Sequence, residues 1–293
     1  MTGSLNFLRC SICKGELIPQ NDSLQCSHCN VFYEIIDGIP DMIPAILNED
    51  IKGMVEIWEN IEYDYDSYIE HTHNERLQAI DKPLLEQCAD GKMVLEVGCG
   101  TARLKKEVEK EGGCYIGLEP SLNLLKQGIN KRKFDLVQGV GEYLPFPDDY
   151  FDTIIGGYHS FRYIKLDKCF PECARVLKPG GVLAFTLWNY WLQSIQFIAF
   201  DIKGRRFPSF QFSKKVNDVS WVKKEINALE NSGFKVVSIL STKKLPTKDI
   251  SFLNRIFGWQ GYWKGTWGTL IGNDIIFICE KNKSSNHTLE NQK

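Results

Sequence analysis

The sequence predicts an α/β fold: a doubly wound, mainly parallel, seven-stranded sheet with a small cysteine-rich module in front of it. Three observations predict this. Between Lys92 and Asn189, short Val/Ile/Leu-rich runs alternate with helical text, the pattern of βαβ units. Two Cys-x2-Cys pairs stand within the first 30 residues. The buried strand Val94–Val97 runs into Gly98-Cys99-Gly100, a tight turn before a helix.

The elements follow in chain order. Residues 1–45 form the cysteine-rich module, ending in Asp37-Gly38-Ile39-Pro40. Cys10-x2-Cys13 and Cys26-x2-Cys29 are separated by twelve residues. Tetrahedral zinc takes four thiolates, and each Cys-x2-Cys hairpin can present two, so Cys10, Cys13, Cys26 and Cys29 are expected to hold structural zinc. Such a site is coordinatively closed and does no chemistry; it folds a segment too small to build its own core. His28 is expected at the surface. The module carries a net charge of −3, a poor match for a phosphate backbone. Packing onto its own chain or onto a protein partner is the better expectation.

Residues 46–90 are a helical segment rich in acids and aromatics, with Pro83 expected near a helix start. Residues 91–281 carry the sheet. Strands are expected at Met93–Val97, Cys114–Leu118, Phe134–Gln138, Thr153–Gly157, Gly181–Leu187, Lys235–Leu240 and Asp274–Cys279. Helices are expected at Leu104–Lys110, Leu122–Lys131, Asp167–Leu177 and Trp221–Asn231. An aromatic, basic insert occupies about 190–224, and a long Gly/Trp-rich connection precedes the last strand. Residues 282–293 are polar and expected to be disordered.

Composition removes several classes. Hydrophobic residues make up 43% and charged residues 25%, and the formal net charge is −2, so nothing pulls the whole chain toward nucleic acid or anionic membrane. The apolar-looking stretch Val182–Phe200 is interrupted by Asn189, Gln193, Ser194 and Gln196 and does not read as a membrane span. Met1–Arg9 lacks the charge-then-apolar pattern of an export signal, so the ten cysteines are expected in the reducing cytoplasm as ligands or thiols.

The glycine turn has a partner. Glu119 ends the next strand, 21 residues after Gly98, where a carboxylate can accept both hydroxyls of a ribose. Glycines let a ligand approach the backbone, and the following helix offers free N–H groups. The third glycine of a dinucleotide-binding turn is replaced by Arg103, which argues against nicotinamide or flavin. A nucleoside-containing cofactor at the C-terminal edge of a parallel sheet is the expectation.

Four motifs run in order: Glu96-Val-Gly-Cys-Gly-Thr101, Gly117-Leu-Glu-Pro-Ser121, Gly141-Glu-Tyr-Leu-Pro-Phe-Pro-Asp-Asp-Tyr-Phe-Asp152 and Arg175-Val-Leu-Lys-Pro-Gly-Gly-Val182. The series resembles the class I S-adenosylmethionine methyltransferases, of Rossmann-like fold, and within them the type 11 group that includes the quinone-biosynthesis enzymes. The N-terminal segment through Pro44 separately resembles the zinc-ribbon family of small methyltransferase activator subunits. Fused ribbons also occur on some rRNA guanine methyltransferases. The resemblance implies S-adenosylmethionine as cofactor, with Glu96, Gly98 and Gly100 at its methionine end, Glu119 on the ribose, and Gly141 and Glu142 near the adenine. Val140 departs from the pattern, standing where this group usually has an aspartate beside the adenine amino group.

Methyl transfer from a sulfonium needs alignment and water exclusion, and a base only where the acceptor must shed a proton. Tyr158, His159, Ser160 and Tyr163 follow the fourth strand. Of these His159 is the candidate base by its intrinsic acidity, a packing role for it being equally open. A tyrosine from the Tyr63–Tyr68 run is a candidate to cover the sulfonium, which a π-face stabilises. Residues 203–224 carry a net +6 interleaved with Phe207, Phe210, Phe212 and Trp221. That mix suits a small-molecule or lipid-like anionic acceptor or a peripheral membrane contact. It also suits RNA, whose base methylation is the second reading. A cofactor-binding scaffold or activator without catalysis is the third.

Overall fold

The computed structural model describes residues 5–47, 49–89, 91–131, 135–188, 222–242, 262–264 and 274–283. The N-terminal module is a four-stranded antiparallel sheet of β1 (Leu17–Gln20), β2 (Ser23–Cys26), β3 (Phe32–Ile36) and β4 (Ile39–Pro40). Two helices follow, α1 (Glu49–Glu59) and α2 (Tyr65–Leu85). Asp64 caps α2 by accepting the N–H of Ser67 at 2.9 Å.

The main sheet contains β5 (Met93–Val97), β6 (Cys114–Glu119), β7 (Asp135–Gln138), β8 (Phe151–Gly156), β9 (Leu177–Trp188), β10 (Phe234–Thr242), β11 (Tyr262–Lys264) and β12 (Asp274–Lys281). Their order across the sheet is β7-β6-β5-β8-β9-β12-β10-β11. Strands β5 to β9 run parallel, and β12 inserts antiparallel between β9 and β10. This is the doubly wound, Rossmann-like sheet, its chain order reversing outward from β5 on one side and β8 on the other. Helices α3 (Lys105–Lys110), α4 (Leu122–Lys131), α5 (Leu166–Val176) and α6 (Val222–Asn231) connect the strands.

The seven expected strands are all present. The eighth, β11, lies within what reads as a plain Gly/Trp-rich connection and carries Trp263 opposite Ser241. Most of the insert, and most of the Gly/Trp-rich connection, lie outside the described residues. So does the tail from 284 onward. Among the described residues no helix is long and apolar enough to cross a membrane.

One local expectation is overturned. Pro83 stands near the end of α2, not at a helix start. A proline deep in a helix leaves the carbonyl four residues back without its N–H donor. Here that carbonyl, Ala79 O, accepts the hydroxyl of Tyr262 at 2.6 Å. A long-range partner therefore supplies what the local sequence takes away.

The N-terminal module packs on its own chain. Leu8, Leu24, Tyr33 and Met42 belong to the same buried cluster as Leu118, Val137, Leu144 and Phe146. Phe7 stacks on Phe146 with centroids 6.3 Å apart. Lys14 Nζ lies 2.7 Å from Glu172 Oε2. Asp41 pairs in parallel with Gln138, and Met42 N donates to Gln138 O at 2.8 Å. The chain leaving the module thus caps β7, the otherwise open edge of the main sheet.

Candidate functional site

A cleft of about 1150 Å³, its open mouth included, lies at the C-terminal edge of the parallel strands. The glycine turn forms its floor. Gly98 has φ +73°, and a Cβ there would come within 2.4 Å of Ser160 Cβ. Only glycine lets the 158–160 segment sit on the turn, where Ser160 Oγ donates to Val97 O at 2.8 Å.

Glu119 is fixed against the same turn. Its two oxygens accept the N–H groups of Gly100 at 2.9 Å and Ser121 at 3.1 Å. A carboxylate offers about four lone-pair sites, so both oxygens can still accept from a ligand. Burial pushes Glu119 up to about 7, against the lowering effect of those two amides. Glu96 is fully buried, accepts the hydroxyl of Tyr115, and is pushed by burial up to about 8. Glu142 Oε1 accepts the N–H of Lys165 at 2.8 Å, and burial raises its carboxyl. Gly98, Gly100, Gly141 and all three glutamates line the cleft.

The departure at Val140 has a structural counterpart. Val140 is buried with Leu47 and Ile51, and Ile43 and Val55 pack on that cluster. The wall is apolar and is built from the chain that leaves the N-terminal module. Of the candidate tyrosines, Tyr65 enters the cleft, 3.7 Å from where a Gly100 Cβ would be, while Tyr63 and Tyr68 are about half exposed. Tyr65 meets Trp58 edge-on, and Trp58 meets Tyr163 edge-on at 5.2 Å. The neighbouring Asp66 accepts the hydroxyl of Thr101, tying α2 to the turn. Arg103, where a dinucleotide turn has its third glycine, pairs with the buried Asp81 of the same helix.

His159 lies at the other end of the cleft, 2% exposed. It and Tyr158 are consecutive left-handed residues, with φ of 63° and 42°. The His159 backbone N–H donates to Thr186 Oγ1 at 2.8 Å, and its Nε2 lies 3.0 Å from Asp274 Oδ1. Asp274 is buried at the start of β12 and its other oxygen accepts the hydroxyl of Thr242 at 2.9 Å. Sequence reasoning missed Asp274. The available signal was an acid opening the otherwise apolar run Ile275–Cys279. Trp58 and Trp188 line the cleft as well and carried no motif.

The four expected thiols converge. The Sγ atoms of Cys10, Cys13, Cys26 and Cys29 all lie within 4.8 Å of one another, with Cys10–Cys29 at 3.6 Å and Cys13–Cys26 at 3.4 Å. Ligands at about 2.3 Å in a tetrahedron stand about 3.8 Å apart, so the set fits zinc. Tyr33 Oη is 3.1 Å from Cys10 Sγ, and backbone N–H groups of Cys13, His28 and Cys29 point at Cys10 or Cys26 sulfurs. The His28 side chain is exposed, as expected.

Comparison with known proteins agrees with this geometry. Residues 95–185 match the family model of a methyltransferase domain, and residues 4–38 match that of a Trm112p-like protein. A fatty-acid O-methyltransferase of Mycolicibacterium smegmatis is 35% identical over 102 residues, 33% of this chain and 37% of that enzyme. A demethylmenaquinone methyltransferase of Listeria welshimeri is 38% identical over 104 residues, 32% of this chain and 44% of that enzyme. The chain thus spans less than half the length of these two enzymes. A S-adenosylmethionine-dependent methyltransferase of Thermotoga maritima shares the fold, with a TM-score of 0.60 at 18% identity, over 78% of this chain and all of that one. The chain carries the domain of S-adenosylmethionine-dependent methyltransferases behind a Trm112p-like zinc ribbon.

Proposed function

We propose that this chain transfers the methyl group of S-adenosylmethionine to a small-molecule, lipid-like acceptor. The observation that carries the reading is the clasp of Glu119 on the glycine turn inside a largely aromatic and apolar cleft. The glycine turn and Glu119 line one part of the cleft, and Tyr158, Tyr163 and Trp188 line another, which suits a nucleoside cofactor beside a small acceptor.

When bound, S-adenosylmethionine supplies an electrophilic methyl group on a sulfonium. Glu119 would accept the ribose hydroxyls, Glu96, Gly98 and Gly100 would meet the methionine end, and Gly141, Glu142 and the Val140 wall would meet the adenine. Tyr65 and Trp58 offer π-faces that suit a sulfonium and keep water away from it. The fatty-acid and demethylmenaquinone enzymes support a lipid-like acceptor. The basic run proposed for membrane or RNA contact lies outside the described residues except for its end, where Lys223 and Lys224 are exposed.

Calorimetry with S-adenosylhomocysteine tests cofactor binding. Growth of a deletion strain on isotope-labelled methionine, with untargeted metabolite analysis, tests the acceptor. One labelled, apolar small molecule should disappear in the deletion. Loss of label from RNA alone would replace this reading with the RNA one.

A further inference from the structure

The polar end of the cleft is built for a proton as well as a methyl group. His159 is held three ways. Its backbone N–H binds Thr186 of β9, its ring meets Trp188 edge-on at 5.6 Å, and its Nε2 faces Asp274 of β12 at 3.0 Å. Asp274 is held in turn by Thr242 of β10, through Oδ2 and through its own backbone N–H. Two consecutive left-handed non-glycine residues are strained, and such strain persists only where the surroundings over-determine it. The strained segment seats directly on Gly98, so His159 is registered against the cofactor turn.

We propose that Asp274 is a positioning residue that fixes the tautomer of His159, and that the acceptor is a ring-borne hydroxyl, phenol- or hydroquinone-like, whose proton His159 takes. The proposal rests on the methyl-transfer reading above and names its substrate class. A carboxylate facing Nε2 commits that nitrogen to carrying the proton, so in neutral imidazole Nδ1 is the basic nitrogen. In the reaction the acceptor O–CH3 bond forms as the donor S–CH3 bond breaks and its electron pair returns to sulfur. The acceptor's O–H proton passes to Nδ1, and Asp274 stabilises the imidazolium. A carboxylate or thioether acceptor sheds no proton and gives this pair nothing to do. The indole N–H of Trp188 is a second polar group of the same wall, buried and without a partner among the described residues; it suits the acceptor's oxygen. Tyr158, Tyr163 and Trp188 line the cleft, Trp188 with the Arg162 guanidinium 3.7 Å over one face, and such rings suit an aromatic acceptor.

The test uses the full, zinc-loaded chain saturated with S-adenosylhomocysteine and labelled with ¹⁵N-histidine. Long-range ¹H–¹⁵N correlation, assigned by the spectrum of His159→Gln, should show His159 protonated on Nε2. In Asp274→Asn that signature should be lost, because the amide can donate to Nε2 and invert the tautomer. A wild-type tautomer protonated on Nδ1 overturns the proposal. With S-adenosylmethionine, wild type should methylate 1,4-dihydroxynaphthalene or catechol faster than myristate. Asp274→Asn should lower kcat about 100-fold with KM and S-adenosylhomocysteine affinity within about twofold. Transfer to neither hydroxylic probe, or equal kcat in the variant, also overturns it. Absence of S-adenosylhomocysteine binding to wild type would instead overturn the methyl-transfer reading itself.

Discussion

The cleft has two walls made in different ways. On the β7 side the wall is apolar and assembled from outside the sheet: Val140 is covered by Leu47 and Ile51, on chain that has just left the zinc ribbon. On the β9–β12 side it is polar and assembled from within: His159, Thr186, Thr242 and Asp274 are neighbours across three adjacent strands. Pairing of β9, β12 and β10 holds Thr186, Asp274 and Thr242 in register behind His159, the kind of rigid support that proton transfer requires. The apolar wall needs only shape and dryness, and it is held by an appended module. The two walls should therefore fail separately.

Zinc removal should give the largest effect, on the first wall. The ribbon and its metal fold as one event, so chelation, or Cys10→Ser with Cys26→Ser, should unfold residues 5–40. Release of the Asp41–Gln138 pairing should then loosen the cover on Val140 and weaken S-adenosylhomocysteine binding about tenfold or more. The His159 ring signature should survive. Calorimetry with limited proteolysis checks this. An unfolded ribbon with unchanged cofactor affinity would separate the ribbon from the wall. The floor shared by both walls comes next. Glu119→Ala should cost about 1–3 kcal/mol of cofactor binding, roughly 5- to 150-fold in Kd, without unfolding the ribbon. Equal affinity in wild type and variant would remove Glu119 from the ribose.

Much of this was legible in sequence. The sheet was, because parallel strands buried on both faces read as nearly continuous apolar runs, broken only by Glu96 in Val94–Val97 and by Thr186 in Leu183–Leu187. The floor was, because the backbone turn at Gly98 and Gly100 and the carboxylate of Glu119 that clasps it stand at a fixed chain spacing. The four thiols were, because their chemistry admits few other uses. The polar wall was half legible: His159 stood out by residue type, but Asp274 is 115 residues away and only the insertion of β12 between β9 and β10 brings it near. Pro83 misled because local rules place proline at a helix start, while the compensating hydroxyl comes from Tyr262.

A smaller effect should appear with pH. Glu119 titrates near 7 in the folded chain against an ordinary value of 4.5. Between those values the folded chain holds a proton that the unfolded chain has released. Stability of the ligand-free protein from this group should thus fall as pH rises from about 5 to about 7, then level off. Cofactor binding should run the other way, since the ribose hydroxyls need the ionised carboxylate. Glu119→Gln should remove this share of both slopes. Glu96, raised to about 8 by burial, contributes with the same sign to stability and remains in the variant. Thermal unfolding of both proteins at pH 5 and 8 measures the difference. A variant whose Tm tracks wild type at both pH values would show that Glu119 is ionised throughout.

The smallest effect concerns the tie between α2 and the far edge of the sheet. Tyr262 on β11 donates to the Ala79 carbonyl that Pro83 leaves without its helical donor. Tyr262→Phe should cost about 1 kcal/mol, the worth of one hydrogen bond with a partly buried acceptor left dry. Pro83→Ala restores an N–H four residues after Ala79, so the helix can satisfy the carbonyl itself. The tyrosine hydroxyl then becomes redundant. In the Pro83→Ala background, Tyr262→Phe should therefore cost distinctly less, a coupling that a double-mutant cycle on urea unfolding reads directly. Neither change touches the Val140 wall or Glu119, so S-adenosylhomocysteine affinity should stay within about twofold of wild type, in contrast with zinc removal. Additive costs would mean that water serves Ala79 when the hydroxyl is gone, and that β11 is held to α2 by its other contacts.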